Sequence, residues 1–334
     1  MHQSRSRGVR PLTLILVPVW TLALAACDPA AKPSRSLEVA ARSVESGALS
    51  SSGRWAFIGS GYQGGSLWDL QERERLYNWN HKSAEQTLLT SVSFSPEEAW
   101  ALSSDGNTLV LWNRQSGEAE QYWSSPAQIG KSQLGPDGSR ALLGLSDRRA
   151  SLYQVKRGGI LRNFHLSDAL SSLAFSHDGR WALTGSDAGT ATLWDTQTGE
   201  PVSHRQHDSP VQLVAISPDG NLLLSASRYQ KPGLWTPEGE LVWQLPLGDE
   251  RIERGALLSV ARFSEDGSYL LTGQAQGLVQ LWDLTAQALA YSWRLPKRKA
   301  WQPTAVSVVD LAFTENPNLY RALGSNGLVH DLTY

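Results

Sequence analysis

Short runs of alternating apolar and polar residues recur along most of the chain, separated by turn residues. The clearest unit is LAFSHDGRWALTGSDAGTATLWDTQTGE, residues 173–200, in which one such run enters a Ser-His-Asp-Gly turn and two more follow it. Alternation with a period of two is typical of half-buried β-strands, and the Asp-Gly turn is typical of a hairpin. Each unit therefore predicts three short strands, with a fourth strand before the next unit.

An aromatic residue closes the third predicted strand of six units, and a histidine closes it in the seventh. These residues are Trp68, Trp112, Tyr153, Trp194, Trp235, Trp282 and His330, spaced by 44, 41, 41, 41, 47 and 48 positions. Four-stranded sheets that repeat at this interval are the blades of a β-propeller. The spacing predicts an all-β fold, a seven-bladed β-propeller over residues 37–334.

The units resemble WD40 repeats, and the resemblance covers nearly the whole of the predicted propeller. It implies that a polar network of His, Ser or Thr, Asp and Trp braces individual blades. Three residues of the fourth unit match this network: Ser186, Asp187 and Trp194. His165 stands one residue away from the histidine position of that unit, whereas His207 matches this position for the next unit. We therefore expect a patchy network that braces only some of the blades.

The two ends of the predicted propeller fit together. The last unit stops after its third strand, at residues 328–334. The segment SLEVAARS, residues 36–43, precedes the inner strand of the first unit and has no other predicted place. We expect it to pair with the last blade as its outer strand, because a ring closed in this way leaves no free edge between its first and last blades.

The beginning of the chain has the layout of a secretory signal. Residues 1–10 carry three arginines and no acid, and residues 11–26 are an almost unbroken apolar run. These 16 residues are short for a membrane-spanning helix, which needs about 20. The sequence Leu-Ala-Ala-Cys ending at Cys27 resembles the lipobox of bacterial lipoproteins, which implies diacylglycerol on the Cys27 thiol, cleavage before it and acylation of the new N-terminus.

The predicted organisation is a lipoprotein signal peptide at 1–26, a lipidated tether at 27–36 and the propeller at 37–334. An ordinary cleaved signal with an incidental cysteine, or an uncleaved anchor helix, remains open. The lipobox predicts a protein anchored by its lipid to a bacterial cell membrane and facing the periplasm. Asp28 resembles the signal that retains lipoproteins in the inner membrane, and the outer membrane is the alternative.

Charge and cysteine content restrict the partners and the chemistry. Removal of residues 1–26 takes away three arginines and no acid, so the formal charge changes from −2 to −5. An acidic body argues against nucleic acid as a general ligand. Cys27 is the only cysteine, so the body has no disulfide, no thiolate metal site and no cysteine nucleophile. We predict no cofactor beyond the covalent lipid, and nothing in the sequence implies an obligatory oligomer.

The sequence offers little material for catalysis or metal binding. It has neither a Gly-x-Ser-x-Gly elbow nor a phosphate-binding loop. His204 and His207 have the spacing of a ligand pair but no third ligand nearby, so we predict no metal site. The inner strands contribute mainly serine and apolar residues, with Lys131, Arg262 and Asp310 among the exceptions. We predict a non-enzymatic protein, with a catalytic or ligand-binding site in the central channel as an alternative.

Loops that interrupt the repeat are the best candidates for partner binding. In WD40 rings, the connections between the second and third strands, and between successive blades, share the face that usually binds partners. Ten residues are predicted on this face: Tyr62, Arg148, Arg149, Arg228, Tyr229, Lys231, Lys297, Arg298, Lys299 and Trp301.

Five of these residues, Arg228, Lys231, Lys297, Arg298 and Lys299, are expected to form one basic sector beside Tyr229 and Trp301. We hypothesise that this sector binds an acidic surface on an unidentified envelope protein, with the two aromatic residues as anchors. Contact with anionic lipid head groups, or a solvated loop without a partner, are the alternatives. The predicted function is a membrane-anchored scaffold for protein–protein interaction, or an accessory subunit of an envelope assembly complex.

Overall fold

The computed structural model describes residues 30–82, 86–247, 257–298 and 306–334. In these ranges, 28 β-strands form seven antiparallel four-stranded sheets, which confirms the predicted seven-bladed propeller. We name the strands of each blade a to d from the central channel outward. The same ranges contain no helix of the length and apolar character needed to cross a membrane.

The first four blades each use four consecutive strands. Blade 1 contains β2 (Ser46–Leu49), β3 (Trp55–Ser60), β4 (Gly64–Asp69) and β5 (Glu74–Asn78). Blade 2 contains β6 (Ser91–Phe94), β7 (Trp100–Ser104), β8 (Thr108–Asn113) and β9 (Ala119–Ser124). Blade 3 contains β10 (Ile129–Leu134), β11 (Arg140–Leu145), β12 (Arg149–Gln154) and β13 (Ile160–His165). Blade 4 contains β14 (Leu170–Phe175), β15 (Trp181–Ser186), β16 (Thr190–Asp195) and β17 (Pro201–Gln206).

The last three blades complete the ring. Blade 5 contains β18 (Val211–Ile216), β19 (Leu223–Ser227), β20 (Gly233–Trp235) and β21 (Leu241–Gln244). Blade 6 contains β22 (Leu258–Phe263), β23 (Tyr269–Gln274), β24 (Leu278–Asp283) and β25 (Ala288–Arg294). Blade 7 contains β26 (Val308–Phe313), β27 (Leu319–Gly324), β28 (Leu328–Thr333) and, as its outer strand, β1 (Arg35–Glu38).

The pairing of β1 with β28 closes the ring, as the sequence predicted. The two strands are antiparallel, with Ser36 opposite His330 and Glu38 opposite Leu328. His330 is fully buried, and its Nδ1 lies 2.7 Å from Ser36 Oγ. Beyond β1, the backbone N–H of Val39 donates to the Gly327 carbonyl at 2.9 Å. The first folded strand of the chain is therefore fixed by its last strand.

The residues ahead of β1 also contact the ring. Ala31 forms a parallel bridge with Trp293 on β25. Its N–H donates to the Ser292 carbonyl at 2.9 Å, and its carbonyl accepts from the Arg294 N–H at 2.8 Å. Ser34 then donates its N–H to the Asp331 carbonyl at 2.9 Å. The segment predicted as a tether is therefore bound to blades 6 and 7 from Ala31 onward.

Aromatic side chains join successive blades. In the described part of the chain, four aromatic residues in or next to an outer strand pack against the aromatic residue that closes strand c of the next blade, with centroids 5.4 to 6.4 Å apart: Trp79 on Trp112, Trp123 on Tyr153, Phe164 on Trp194 and Trp243 on Trp282. Aromatic pairs at these distances add to the stability gained from burial. Trp79 and Phe164 are fully buried, whereas Trp123 and Trp243 are partly buried, and a tyrosine in blade 3 preserves the contact.

Polar side chains of the inner strands join the blades around the channel. They form hydrogen bonds with the backbone of the following blade at six boundaries in the described ranges. The bonds are Ser46 Oγ to Leu89 O, Ser132 N to Ser91 Oγ, Phe175 N to Gln133 Oε1, Val214 N to Ser172 Oγ, Ser259 Oγ to Val308 O, and Leu49 N to Asp310 Oδ2. The serines of these strands thus satisfy backbone groups that would otherwise be left without partners at the joints.

We predict that acid weakens the closing seam through His330. Burial lowers the pKa of His330 to about 4, whereas an unfolded histidine titrates near 6.5. The unfolded chain therefore binds more protons as the pH falls from 6.5 to 4, and the free energy of unfolding should decrease by roughly 3 kcal/mol from this residue. Urea unfolding at pH 7, 5.5 and 4 measures the decrease.

The matched variant is His330→Asn, which keeps a polar atom near Ser36 and does not titrate. Its free energy of unfolding should change less between pH 7 and 4 than that of the unaltered protein. His81 and His207, whose pKa values burial also lowers, retain their own contributions in both proteins. Identical pH dependence of the two proteins would contradict this role of His330.

Candidate interaction face

Because neighbouring strands of a blade run in opposite directions, the b–c turns and d–a connections lie at one end of the ring, which we name the upper face. The a–b and c–d turns form the lower face. Eight of the predicted partner-binding residues lie in or beside upper-face connections: Tyr62, Arg148, Arg149, Arg228, Tyr229, Lys231, Lys297 and Arg298. Lys299, Trp301 and the predicted lipid attachment residue Cys27 lie outside the described residues.

A polar network holds the b–c turn of blade 5. The indole N–H of Trp235 donates to Ser225 Oγ at 3.2 Å, and Ser225 Oγ lies 2.8 Å from Nε2 of buried His207. Nδ1 of His207 lies 2.9 Å from Gln230 Oε1, and Gln230 Nε2 donates to Asp208. Burial lowers the pKa of His207, so the neutral imidazole with Nδ1 protonated satisfies every contact in this series. Gln230 thus takes the place of the turn aspartate that the sequence lacks here.

This anchored turn presents an aromatic residue between two cations. Tyr229 exposes 63% of its surface, more than any other aromatic side chain in the described part of the chain. The Arg228 guanidinium lies 5.5 Å from the centre of the Tyr229 ring, and Lys231 is exposed two residues further on. Because Gln230 fixes the backbone between them, little conformational freedom remains to be lost on binding. We name Arg228, Tyr229 and Lys231 the blade 5 patch.

Arg298 does not belong to the blade 5 patch, so the predicted single basic sector is divided. Its guanidinium forms an ion pair with Glu38 at the end of β1 and donates to the Ala41 carbonyl at 2.7 Å. These contacts place Arg298 over blade 7 and the closing strand, with blade 6 between it and the blade 5 patch. The sequence could not reveal this role, because an arginine in a basic loop looks the same whether its partner is internal or external.

Tyr62 lies in a second exposed group on the upper face, at the b–c turn of blade 1. It exposes 54% of its surface, and the Arg42 guanidinium stacks 3.8 Å from the centre of its ring. Leu88, in the connection from blade 1 to blade 2, exposes 59% of its surface and approaches the same turn at Gly61. The sequence analysis missed Leu88 because a single leucine in a polar loop carries no periodic signal.

The two predicted arginines of blade 3 differ in their surroundings. Arg149, at the start of β12, forms an ion pair and two hydrogen bonds with Asp147 of the same turn. Arg148 is exposed and adopts a φ of 64°, in the left-handed region that few non-glycine residues occupy. The charge of Arg149 is therefore balanced within its turn, and of these two arginines only Arg148 is exposed.

A second network lies in blade 2, where it was not predicted. Trp112 Nε1 donates to Ser103 Oγ at 2.8 Å, which lies 2.9 Å from His81 Nε2, and His81 Nδ1 lies 3.3 Å from Asp105 Oδ2. Burial lowers the pKa of His81. The residue was missed because it stands ten positions before β6, whereas His207 stands four positions before β18. The connection before β6 is longer, so the position of His81 does not have the spacing that the motif predicts.

Blade 4, the best match in the sequence, lacks this network. Trp194 Nε1 donates to Thr184 Oγ1 at 2.9 Å, whereas the expected Ser186 bonds to the Thr190 carbonyl of its own turn. Asp187 and His165 are both exposed. Strand c pairs with the middle of strand b, so the indole of Trp194 reaches the hydroxyl of Thr184. Thr184 lies two residues before Ser186, which the motif suggested. Trp282 likewise donates to Thr272, and Trp68 to Ser66 of its own strand.

The inner strands enclose a channel with a volume of about 410 Å³. Arg262 and Asp310, on the neighbouring inner strands of blades 6 and 7, form an ion pair at 2.8 Å, so neither charge is free. Lys131 has no hydrogen-bond or ion-pair partner among the described residues, and burial lowers its pKa. Charged groups therefore contribute mainly to the joints between blades, and Lys131 is the exception.

Histidines and acids do not converge on a metal site in the described ranges, where no group of three or more metal-ligating side chains occurs. His204 is exposed on β17, whereas His207 turns inward to its network. The recurring turn acids bond within their own turns. Asp266, for example, accepts from the hydroxyls of Ser264 and Ser268, which lower its pKa to about 2. These acids stabilise hairpins.

Two aspartates at the same repeat position allow a matched test of the network. Both aspartates are exposed, but Asp105 faces buried His81, whereas Asp187 has no histidine beside it. We expect Asp105→Ala to lower the free energy of unfolding by about 1–3 kcal/mol, because it removes the carboxylate that faces Nδ1 of the buried imidazole. Asp187→Ala should change it by less than about 0.5 kcal/mol. Equal losses in urea unfolding would show that the network does not brace blade 2.

Comparison with known proteins agrees with this geometry. A family model described as the WD domain, G-beta repeat, matches residues 74–113, 159–195, 199–231 and 253–283. The first two matches start at or just before the outer strand of one blade and end at or near the end of strand c of the next. These two repeats therefore begin with the outer strand of one blade and end with strand c of the next. In the same way, the outer strand of blade 7 is β1, which precedes blade 1 in the sequence.

Curated relatives match the chain at low identity. Eukaryotic translation initiation factor 3 subunit I of Neosartorya fischeri is 23% identical over 66% of this chain and 68% of its own length. Target of rapamycin complex subunit wat1 of Schizosaccharomyces pombe is 24% identical over 58% of this chain and 62% of its own length. Guanine nucleotide-binding protein subunit beta of Oryza sativa subsp. japonica is 25% identical over 54% and 52%.

The similarity to these proteins is thus confined to about two thirds of their length or less. Seven four-stranded blades show that the chain is a β-propeller, and four of its segments match the WD40 repeat.

Proposed function

We propose that this propeller is a non-enzymatic scaffold that binds an acidic surface of a partner protein through the blade 5 patch. The observation that carries the proposal is the geometry of this turn, with exposed Tyr229 between two cations on a backbone that Gln230 anchors. Aromatic and arginine side chains are the residues most often found at the energetic centre of protein interfaces. Complementary charge accelerates association and selects the partner.

The relatives support a role in assemblies. Their names describe a subunit of a translation initiation factor, a subunit of a target of rapamycin complex and a β subunit of a guanine nucleotide-binding protein. Each name therefore describes a protein that works as one part of a larger unit. Tyr62 and Leu88 on blade 1 offer a second, more apolar contact region on the same upper face, so a partner that extends across the ring would meet both.

We further propose that a lipid on Cys27 holds the scaffold at a bacterial envelope membrane, facing the periplasm. The Leu-Ala-Ala-Cys sequence after an apolar run supports this anchor. Ala31 is bonded to blade 6, so only three residues separate it from Cys27. Such a segment spans at most ~15 Å, which would keep the rim of blades 6 and 7 close to the bilayer. An accessory subunit of an envelope assembly complex would need this arrangement.

The partner-binding proposal is tested by a crosslinked pull-down of the full-length protein from its own membranes. Tyr229→Ala should reduce recovery of the stoichiometric partner by about tenfold or more, the effect expected for an interface anchor. Arg228→Gln combined with Lys231→Gln should weaken binding of the same partner, and the loss of recovery should be smaller at high salt because salt screens the charges. Mass spectrometry identifies and quantifies the partner.

Tyr122→Ala is the matched control, because Tyr122 exposes 51% of its surface on the outer strand of blade 2, away from the upper face. Recovery should be unchanged in this variant. If Tyr229→Ala and Tyr122→Ala recover the partner equally well, the blade 5 patch is not the binding site. If the unaltered protein enriches no partner, the scaffold proposal itself is wrong.

The anchor is tested by Cys27→Ser in the full-length chain. We expect labelled palmitate to enter the unaltered protein, and its membrane-bound fraction to fall at least about tenfold on loss of the acceptor thiol. Lys32→Ser, a substitution to the same residue nearby, should keep both the label and the membrane fraction. A membrane-bound protein without label would indicate an uncleaved helix, and a protein free of the membrane would indicate an ordinary cleaved signal.

A further inference from the structure

A basic groove lies on the lower face, at the seam between blade 7 and blade 1. It has a volume of about 230 Å³, and the charged residues of its lining are Arg35, Arg73, Arg321 and Asp331. Arg35 begins the closing strand, Arg321 and Asp331 lie on the two strands next to it, and Arg73 belongs to the c–d turn of blade 1. Three separate segments of the chain thus bring their guanidinium groups to one place.

Only one of these three arginines is neutralised within the groove. Arg321 Nε donates to Asp331 Oδ1 at 3.0 Å, and its NH1 group donates to the Gly53 carbonyl at 2.7 Å. Arg73 donates through NH2 to the Ser36 carbonyl at 3.3 Å, a neutral acceptor. Arg35 is exposed at the start of its strand. Two positive charges of the lining therefore remain without a carboxylate partner there.

This local charge opposes that of the whole chain. The formal net charge is −2 with residues 1–26 included, so a basic groove does not follow from an excess of arginine. The groove also offers more than charge. Asp331 and Gly53 occupy Nε and NH1 of Arg321, which leaves its NH2 group available for another acceptor. One guanidinium group can donate two parallel hydrogen bonds to two oxygens of a phosphate group. Arginine is preferred in phosphate recognition for this reason.

We propose that this groove is a binding site for a phosphate-type oxyanion, held by Arg35 and Arg73 with Arg321 beneath them. The ion pair of Arg321 with Asp331 fixes the base of the site, and the other two arginines supply the charge that the ligand neutralises. The site lies on the opposite end of the ring from the blade 5 patch, so it is independent of the proposed partner binding. The phosphate group has two possible sources, a soluble phosphate compound or the head group of an anionic phospholipid.

The first experiment measures binding of inorganic phosphate to the full-length protein in non-ionic detergent, by calorimetric titration against chloride of equal ionic strength. We expect saturable binding that the double variant Arg35→Gln, Arg73→Gln weakens about 20-fold, as the loss of two charges near an anionic group implies. The control is Lys156→Gln combined with Arg157→Gln, which removes two exposed charges from the c–d turn of blade 3 on the same face and should leave phosphate binding unchanged.

The second experiment distinguishes the two sources. The full-length protein is placed in phosphatidylcholine vesicles with and without 30% phosphatidylglycerol, and hydrogen exchange is followed in β1 and the c–d turn of blade 1. Slower exchange with phosphatidylglycerol, lost in Arg35→Gln, Arg73→Gln, identifies a lipid head group. Slower exchange with added inorganic phosphate alone identifies a soluble ligand.

A variant that retains charge separates recognition from folding. Arg35→Lys combined with Arg73→Lys keeps both positive charges but loses the paired hydrogen bonds, so phosphate binding should be intermediate. Thermal unfolding without phosphate shows whether each variant keeps the ring closed. If a folded Arg35→Gln, Arg73→Gln protein binds phosphate and responds to phosphatidylglycerol like the unaltered one, or if the unaltered protein does neither, the proposal is wrong.

Discussion

The whole ring depends on the seam at which its first and last strands pair. A single blade has no core of its own, because its two faces are covered only by the blades beside it. Four polar contacts secure this seam: β1 with β28, His330 with Ser36, Arg298 with Glu38, and Asp310 with the backbone of Leu49. The aromatic contacts, the channel and both loop faces keep their positions only while this seam is closed.

Polar networks anchor some loops of the closed ring and leave others without such bonds. In blade 5, where Arg228 stands at the aspartate position of the turn, Gln230 bonds to His207 and the residues on either side of Gln230 are exposed. In blade 4, the turn has an aspartate, but Asp187 has no histidine to hold it. Agreement with the repeat serves the scaffold, so the positions that depart from it are where an individual function of a blade is to be sought.

The number of blades could be predicted from sequence because the closing residue of strand c recurs seven times, and the closing strand because the last unit stops after its third strand. His81, Thr184 and Arg298 could not. His81 lies before a longer connection, Thr184 is selected by strand register, and Arg298 contacts residues about 260 positions away. Such contacts depend on how distant segments meet in three dimensions. A repeat pattern determines the common backbone and leaves these individual side-chain partners undetermined.

The closing pair also sets the order in which the molecule can form. Ser36 and His330 are 294 residues apart, so β1 cannot pair until β28 has formed. Until then, blades 1 to 6 can stack locally, but the outer edge of the ring at blade 7 stays open. A chain without β28 would therefore keep two unpaired sheet edges, one on β27 and one on β1, and β28 removes both by pairing with each of them.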